Sequence, residues 1–135
     1  MNKSKLPLNS ICVFCGSNSG NSPIFTKLAE NLGEQIGTRK AKLIYGGGSG
    51  LMEIMASSVL RTGGEVVGII PKKLYDLSDV NKKITNLLIV DDMNDRKKMM
   101  INISDAFVSI PGGIGTLDEI LEILSSKQLG YHDKP

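Results

Sequence analysis

Five short apolar runs rich in β-branched residues recur along the chain, and segments with helical spacing separate them. The apolar runs are residues 11–15, 42–45, 65–70, 86–90 and 106–110, and the helical segments are residues 23–36, 51–61, 93–103 and 116–129. Strands that alternate with helices form parallel βαβ units, and strands that are apolar at nearly every position are buried on both faces of a sheet. The pattern therefore predicts an α/β fold, a doubly wound parallel sheet of five or more strands with helices on both faces.

The last helical segment carries a marked apolar stripe. Leu117, Ile120, Leu121 and Leu124 follow one another at spacings of three, one and three residues. Side chains at these spacings lie on one side of a helix, which is typical of a helix that covers a sheet. We therefore expect this side of the helix to be packed against the rest of the protein.

The size and charge of the chain narrow the classes of protein to consider. A chain of 135 residues with 41% hydrophobic residues is the size of one globular domain, which we expect over residues 1–135. Its net charge of +2 is too small for nucleic-acid binding by a general electrostatic field. No apolar run approaches the ~20 residues of a membrane span, and no export signal follows the first residues. We expect a cytoplasmic protein that binds neither nucleic acid nor membrane.

Two cysteines form a C-x-x-C pattern, which raises the question of redox chemistry or a metal site. Cys12 and Cys15 lie in an apolar run that we interpret as a strand, where residues three apart point to opposite faces. A zinc site would need two further ligands, and His132 is the only histidine. We expect buried structural thiols and no metal.

Two segments fit the alternating pattern less well. The piece from Pro71 to Asn86 is the least regular and contains four lysines, so we expect an exposed excursion there. The chain ends on YHDKP, and a proline after a helix usually leads on to another element. We therefore expect the sheet to lack one or more C-terminal strands.

Glycine- and serine-rich loops follow three of the predicted strands. They read GSNSGNSP from residue 16, GGGSG from residue 46 and PGGIG from residue 111. Glycine lets a backbone approach a ligand closely, and the helix that follows offers unpaired N–H groups and a partial positive charge. Such loops side by side favour a phosphate site. Neither the P-loop pattern nor the third glycine of the dinucleotide fingerprint is present, so a smaller phosphorylated ligand is favoured over a nicotinamide cofactor.

Two pairs of charged or polar residues could serve either structure or chemistry. Thr116 and Glu119 match the T-x-x-E capping box, but two glycines precede them, and on a shared helix face Glu119 would point toward the ligand of the glycine loop. Arg96 and Lys97 open a helix and could simply form a solvated face. A cation at a helix start is unfavourable unless an anion is nearby, which favours a role at the site.

These residues together resemble a known family. PGGIGTLDE matches P-G-G-x-G-T-x-x-E, MNDRK resembles M-H-x-R-K, and YGGGSGLM and ICVFCGSNSGNSP occur in the expected order. The combination resembles the LOG ("Lonely guy") family, the cytokinin riboside 5′-monophosphate phosphoribohydrolases, often labelled "possible lysine decarboxylase". Decarboxylation commonly needs a lysine-bound pyridoxal cofactor, and no lysine is singled out for that purpose. Asn94 stands where the family has histidine, and a family glutamate falls near Ser78, with Asp76 and Asp79 as substitutes.

The resemblance implies a Rossmann-like, nucleotide-binding domain and hydrolysis of the N-glycosidic bond of adenosine 5′-monophosphate or an N6-substituted form. It implies a homodimer that needs no cofactor, with Arg96 and Glu119 as catalytic residues. The expected substrate-binding residues are Gly16, Ser17, Gly47, Gly48, Ser49, Lys97, Gly112, Gly113, Ile114, Gly115, Thr116 and Ser125. The alternative is a non-catalytic carrier of a nucleotide or cofactor on the same fold, for which the pair of Arg96 and Glu119 would be unnecessary.

Overall fold

Strands and helices alternate through the part of the chain that the structure, a computed structural model, describes, namely residues 8–18, 20, 22–77 and 84–135. The strands are β1 (Ser10–Phe14), β2 (Lys42–Tyr45), β3 (Glu65–Pro71), β4 (Asn86–Val90) and β5 (Ala106–Ser109). The helices are α1 (Pro23–Thr38), α2 (Leu51–Arg61), α3 (Lys72–Leu77), α4 (Met93–Ile103) and α5 (Ile114–Gln128). All five predicted strands and the four predicted helices are present within a few residues of their expected bounds.

The five strands form one parallel sheet in the order β4-β3-β2-β1-β5. The chain steps from β1 outward to β4 and then returns across the sheet to place β5 on the other side of β1. Because βαβ crossovers are right-handed, the helices on the path from β1 out to β4 and the helices on the path back to β5 cover opposite faces of the sheet. Helices α1 and α2 thus cover one face, and α4 and α5 cover the other. The doubly wound α/β fold predicted from the sequence is therefore confirmed.

Each face of the sheet has its own hydrophobic core. The first core holds buried side chains of α1 and α2, among them Ala29, Ile36, Met55 and Val59. The second core lies under α4 and α5 and includes Met100 and Ile123. Most positions of the inner strands β1, β2 and β3 are thus buried, which explains why these strands read as continuous apolar runs. The edge strands β4 and β5 each have a single buried position.

The two cysteines confirm this alternation within β1 and the residue that follows it. Cys12 packs in the second core and Cys15 in the first, and both are free and buried. Burial raises the pKa of Cys15 to about 12 and raises that of Cys12 further, with the nearby Glu119 carboxylate adding to both. Both thiols are therefore protonated at neutral pH, as expected for structural cysteines.

The segment after β3 differs in part from expectation. Residues Lys72–Leu77 form the short helix α3, which the sequence pattern did not predict, although each of its residues is exposed as expected. Val67 and Gly68 at the middle of β3 pair with the start of β4, so the segment joins two neighbouring strands. The remaining lysines of the segment, Lys82 and Lys83, lie outside the described residues.

The buried side of α5 is not the one predicted. Ile123 and, in part, Ile120 pack against the second core. Leu117, Leu121 and Leu124 are instead 53%, 59% and 56% exposed. The prediction was wrong for these three leucines because an apolar stripe does not reveal which side of it meets the sheet.

Among the described residues, no helix is long and apolar enough to cross a membrane.

Candidate functional site

The loops after β1 and β5 meet where the strand order reverses. The N–H of Gly16 donates to the carbonyl of Pro111 at 3.3 Å, and that of Ile110 donates to Phe14 at 2.9 Å. A side chain at Gly16 would lie 3.1 Å from the Cα of Gly112, so the two loops touch backbone to backbone. In open parallel sheets, ligands bind in the crevice at such a reversal, beyond the carboxyl ends of the strands.

A cavity of about 370 Å³ opens between these loops. We call it the first cavity; it is lined by Gly16, Ser17, Asn18, Gly20, Phe25, Leu51, Pro111, Gly112 and Gly113. The start of α5 lies at its edge, and Gly113, the N-cap, provides no side-chain cap. The first-turn amides of α5 therefore have no side-chain acceptor, and the cavity offers N–H donors and a partial positive charge to an anion.

Thr116 does not cap α5. The helix begins at Ile114, so Thr116 is its third residue and Glu119 lies a further turn along. The Thr116 side chain is buried and lies against Gly112, where its Oγ1 occupies the space that a side chain on Gly112 would need. The capping-box interpretation of Thr116 and Glu119 is wrong because the helix starts two residues before the threonine.

Arg96 and Glu119 meet between α4 and α5. Asp92 caps α4 by accepting from the N–H of Asp95 at 2.8 Å, and this places Arg96 in the first turn. The Arg96 Nη2 lies 3.5 Å from Glu119 Oε1, and the two side chains are only 8% and 14% exposed. Arg96 is therefore not part of a solvated helix face, and the two residues expected to be catalytic are in direct contact.

The guanidinium of Arg96 has hydrogen-bonding capacity to spare. Its Nη1 contacts the Sδ of Met93 at 4.0 Å, and its buried Nε has no hydrogen-bond partner within the described part of the chain. Buried polar groups are normally satisfied, and an exception usually marks a place for a ligand, an ion or strain. A ligand with anionic or hydroxyl oxygens would satisfy these donors.

Opposing influences act on the pKa of Glu119. Burial raises it, Arg96 lowers it, Asp118 raises it and Lys97 lowers it, and the net direction is upward. Loss of hydration therefore outweighs the attraction of the guanidinium. A carboxyl group with a raised pKa beside a permanent cation is typical of acid–base sites, although structural ion pairs can show it too.

Lys97 is held by carboxylates and is not among the residues that line the first cavity. Its Nζ lies 2.8 Å from Asp118 Oδ2 and 2.7 Å from Glu122 Oε2. These hydrogen bonds raise the pKa of Lys97, so the ammonium stays charged through the neutral range. The arrangement ties α4 to α5 next to Arg96 and Glu119, a structural contribution that its place in the family motif does not reveal.

A second cavity of about 590 Å³ follows the glycine loop after β2. It is lined by Ser17, Gly46, Gly47, Gly48, Ser49, Met52, Ile70, Leu74, Leu77 and Arg96. Ser17 borders both cavities, so the two are adjacent. The lining combines the glycine loop and Arg96 with four apolar side chains, which we call the apolar wall: Met52, Ile70, Leu74 and Leu77.

The structure brings together most of the predicted site residues. Arg96 and seven of the predicted substrate-binding residues line the two cavities: Gly16, Ser17, Gly47, Gly48, Ser49, Gly112 and Gly113. The other predicted residues line neither cavity: Lys97, Ile114, Gly115, Thr116, Glu119 and Ser125. Glu119 contacts Arg96 and Thr116 lies against Gly112, whereas Ile114 is 84% exposed and Ser125 is exposed further along α5. Sequence reasoning missed Gly46, Asn18 and the apolar wall of the second cavity. Gly46 could have been noticed in the sequence because it is the first glycine of GGGSG. The apolar wall could not, because part of it lies on α3, a helix that the sequence pattern did not predict. Ser78 and Asp79 lie outside the described residues, and Asp76 is exposed on α3.

Comparisons with known proteins agree on the family and the fold. Residues 52–135 match a protein-family model described as "Possible lysine decarboxylase". The chain is 48% identical over 126 residues to the probable cytokinin riboside 5′-monophosphate phosphoribohydrolase LOGL1 of Oryza sativa subsp. japonica. The alignment covers 93% of this chain and 56% of that protein. The chain is 44% identical over 126 residues to the cytokinin riboside 5′-monophosphate phosphoribohydrolase LOG5 of Arabidopsis thaliana. This alignment covers 93% of this chain and 55% of that protein. The chain thus spans about half the length of these curated relatives.

Solved structures share the fold. The X-ray structure of the structural-genomics target TM1055 matches with a TM-score of 0.71 and 27% identity over 84% of this chain and 67% of that chain. The molybdenum cofactor carrier protein of Chlamydomonas reinhardtii matches with a TM-score of 0.74 and 22% identity over 90% and 73%. At that identity the second likeness concerns the fold alone.

Proposed function

The chain belongs to the LOG family, whose model carries the description "Possible lysine decarboxylase", and from this premise we propose that it is a nucleoside 5′-monophosphate phosphoribohydrolase. Its substrate is adenosine 5′-monophosphate or an N6-substituted form, and its products are the free base and ribose 5-phosphate. The curated relatives named as such hydrolases support this reaction. A decarboxylase commonly needs a lysine-bound pyridoxal cofactor, and the lysine next to Arg96, Lys97, is instead held by Asp118 and Glu122.

The first cavity suits the 5′-phosphate. Gly112 and Gly113 line this cavity beside the start of α5, and its lining residues include no carboxylate. A helix start that follows a glycine loop binds phosphate through several N–H groups at once. Anchoring at this end fixes the ribose relative to the neighbouring side chains, which lowers the entropic part of the barrier.

Glu119 is the residue that we assign to the bond-breaking step. As the C1′–N9 bond breaks, positive charge builds on the ribose, and a nearby carboxylate stabilises that charge or activates the attacking water. Arg96 supplies N–H donors to substrate oxygens in the planar fork of its guanidinium. The close contact of this buried pair, in which the Arg96 Nε has no hydrogen-bond partner among the described residues, is the single observation that carries the proposal.

The second cavity has room for the base. The apolar wall of this cavity is formed by Met52, Ile70, Leu74 and Leu77. A purine ring is flat and mostly apolar, and most small-molecule pockets bury such a ring among apolar side chains. Because α3 supplies part of this wall, the substituents of the base that are accepted will depend on α3.

The exposed stripe of α5 suits an interface between two copies of the chain. Leu117, Leu121 and Leu124 are each more than half exposed, and Ile114 and Tyr131 near the two ends of the helix are 84% and 80% exposed. Contiguous exposed apolar patches commonly mark protein–protein contacts. We propose a homodimer through this face and a cytoplasmic location, which the two free thiols fit.

The reaction can be tested directly. The full chain is incubated with AMP and with N6-isopentenyl-AMP, and free base and ribose 5-phosphate are measured by chromatography. Arg96→Ala is expected to lose turnover, whereas Lys98→Ala, which removes an exposed cation from the same helix, is expected to keep it. A nucleotide that binds and is recovered intact would identify a carrier and contradict the hydrolase.

A further inference from the structure

Gly46 lies against the guanidinium of Arg96. A Cβ placed on Gly46 would overlap the Nη2 of Arg96 and would lie 3.0 Å from its Cζ and 3.6 Å from its Nη1. All three nearest atoms therefore belong to one functional group. The Nη2 is also the atom that faces the Glu119 carboxylate.

The neighbouring glycines are needed for other reasons. Gly47 and Gly50 adopt φ values of +73° and +65°, which side chains other than glycine rarely accept. A Cβ on Gly48 would meet the flexible end of Met52. Gly46 has no positive φ, so its backbone would accept an alanine. The guanidinium of Arg96 is what excludes a side chain at this position.

Packing, more than hydrogen bonding, holds the Arg96 guanidinium in place. Arg96 is 6% exposed, its Nε has no hydrogen-bond partner among the described residues, and its contacts with Met93 Sδ and Glu119 are 4.0 Å and 3.5 Å long. With such weak polar restraint, the shape of the recess decides where the guanidinium lies. The bare Cα of Gly46 is one wall of that recess.

We propose that Gly46 is a positioning residue for Arg96: the lack of a side chain after β2 allows the guanidinium to lie between the glycine loop and Glu119. This inference rests on the proposed function for its effect on turnover. A methyl group at position 46 displaces the guanidinium, because the end of a long side chain moves more easily than a strand. The fold therefore persists while the distance between Arg96 and Glu119 changes.

Turnover and the titration of Glu119 report this displacement separately. A misplacement of about 1 Å can cost roughly 100-fold in rate, so Gly46→Ala is expected to lower kcat by about that factor. Arg96 lowers the pKa of Glu119, so moving the guanidinium away raises that pKa, as does Arg96→Ala. Lys97, Asp118, Cys12 and Cys15 also face Glu119, and neither substitution changes them.

The experiment compares Gly46→Ala, Arg96→Ala and the double variant, with Gly68→Ala as the matched control. The three atoms nearest to a Cβ on Gly68 would be side-chain atoms of Ile84, Leu87 and Tyr45 at 3.0–3.4 Å, and none of them belongs to Arg96. Each variant is checked by thermal unfolding, by kcat for base release and by ¹³C NMR titration of the Glu119 carboxyl. Gly46→Ala should lower kcat and raise the pKa of Glu119 with the fold intact, and it should add nothing in the Arg96→Ala background. Gly68→Ala should leave both readouts unchanged.

Two results would overturn the inference. One is a Gly46→Ala protein whose Glu119 titrates as in the unchanged protein, and the other is a double variant whose losses in kcat multiply. The proposed function itself would be contradicted by full activity in Arg96→Ala or by the absence of base release from the unchanged protein. In that case the NMR titration still decides whether Gly46 positions Arg96.

Discussion

Replacing Glu119 by glutamine is expected to remove turnover without weakening the fold. The substitution keeps the size of the side chain and removes its charge. Burial raises the pKa of Glu119 despite the adjacent Arg96, so the folded state favours the uncharged group. The raised pKa of Glu119 contributes fully to the free energy of unfolding below the ordinary pKa of glutamate, where the group is protonated. This contribution is lost as the pH rises through the pKa of Glu119 in the folded protein. At pH 7 a neutral glutamine avoids that loss.

The expected magnitudes follow from the same two observations. A general acid or base contributes about 100- to 10,000-fold to a rate. With about 1.36 kcal/mol for each factor of ten, kcat should fall by an equivalent of roughly 3–5 kcal/mol. The affinity for AMP should change little, because backbone amides of the first cavity hold the phosphate. The melting temperature at pH 7 should stay the same or rise.

The assay combines single-turnover release of base, nucleotide binding by calorimetry and thermal unfolding. A lowered melting temperature together with lost activity would show that Glu119 is needed mainly to pair with Arg96. Base release within tenfold of the unchanged protein would show that Glu119 does not take part in the bond-breaking step.

Three further predictions concern pH, the phosphate site and the interface. If Glu119 acts as a carboxylate, kcat/KM should fall as acid protonates it, at a pH above that of an ordinary glutamate because burial raises its pKa; a profile that falls only at the ordinary value would contradict this. Gly112→Ala should raise the KM for AMP by about tenfold or more, roughly 1.4 kcal/mol, since its Cβ would overlap Thr116 Oγ1 and lie 2.6 Å from the amide nitrogen of Gly16. An unchanged KM would remove that loop from the phosphate site. Leu121→Lys should convert a dimer into a monomer in analytical ultracentrifugation with an unchanged melting temperature of the monomer, because Leu121 is 59% exposed; a dimer that persists would place the interface elsewhere.

The sequence predicted the fold well because the inner strands β1, β2 and β3 are buried on both faces. Residues that are apolar at every position of a short run have few alternatives to a central strand, and the alternating helices then require parallel connections. Helix α3 was missed because its six residues have no buried side chain and hence no apolar period to detect.

The sequence also indicated Arg96 and Glu119 as candidate site residues, through the motifs that contain them, but not what surrounds them. It left open whether Glu119 belonged to a capping box, and the start of α5 at Ile114 settles that question. It did not indicate that Lys97 would be held by Asp118 and Glu122, or that Gly46 would contact a guanidinium. These contacts join residues far apart in the chain, which no local spacing records.

What the sequence determined by itself is therefore the set of elements, the glycine loops and the charged residues that follow the strands. What only the tertiary structure decided is which of these groups meet. The return of the chain across the sheet to β5 brings α4 and α5 together, and the crossing buries an arginine and a glutamate in one place. Local sequence sets backbone shape within a few residues, whereas the burial and pairing of charges depend on how distant segments pack.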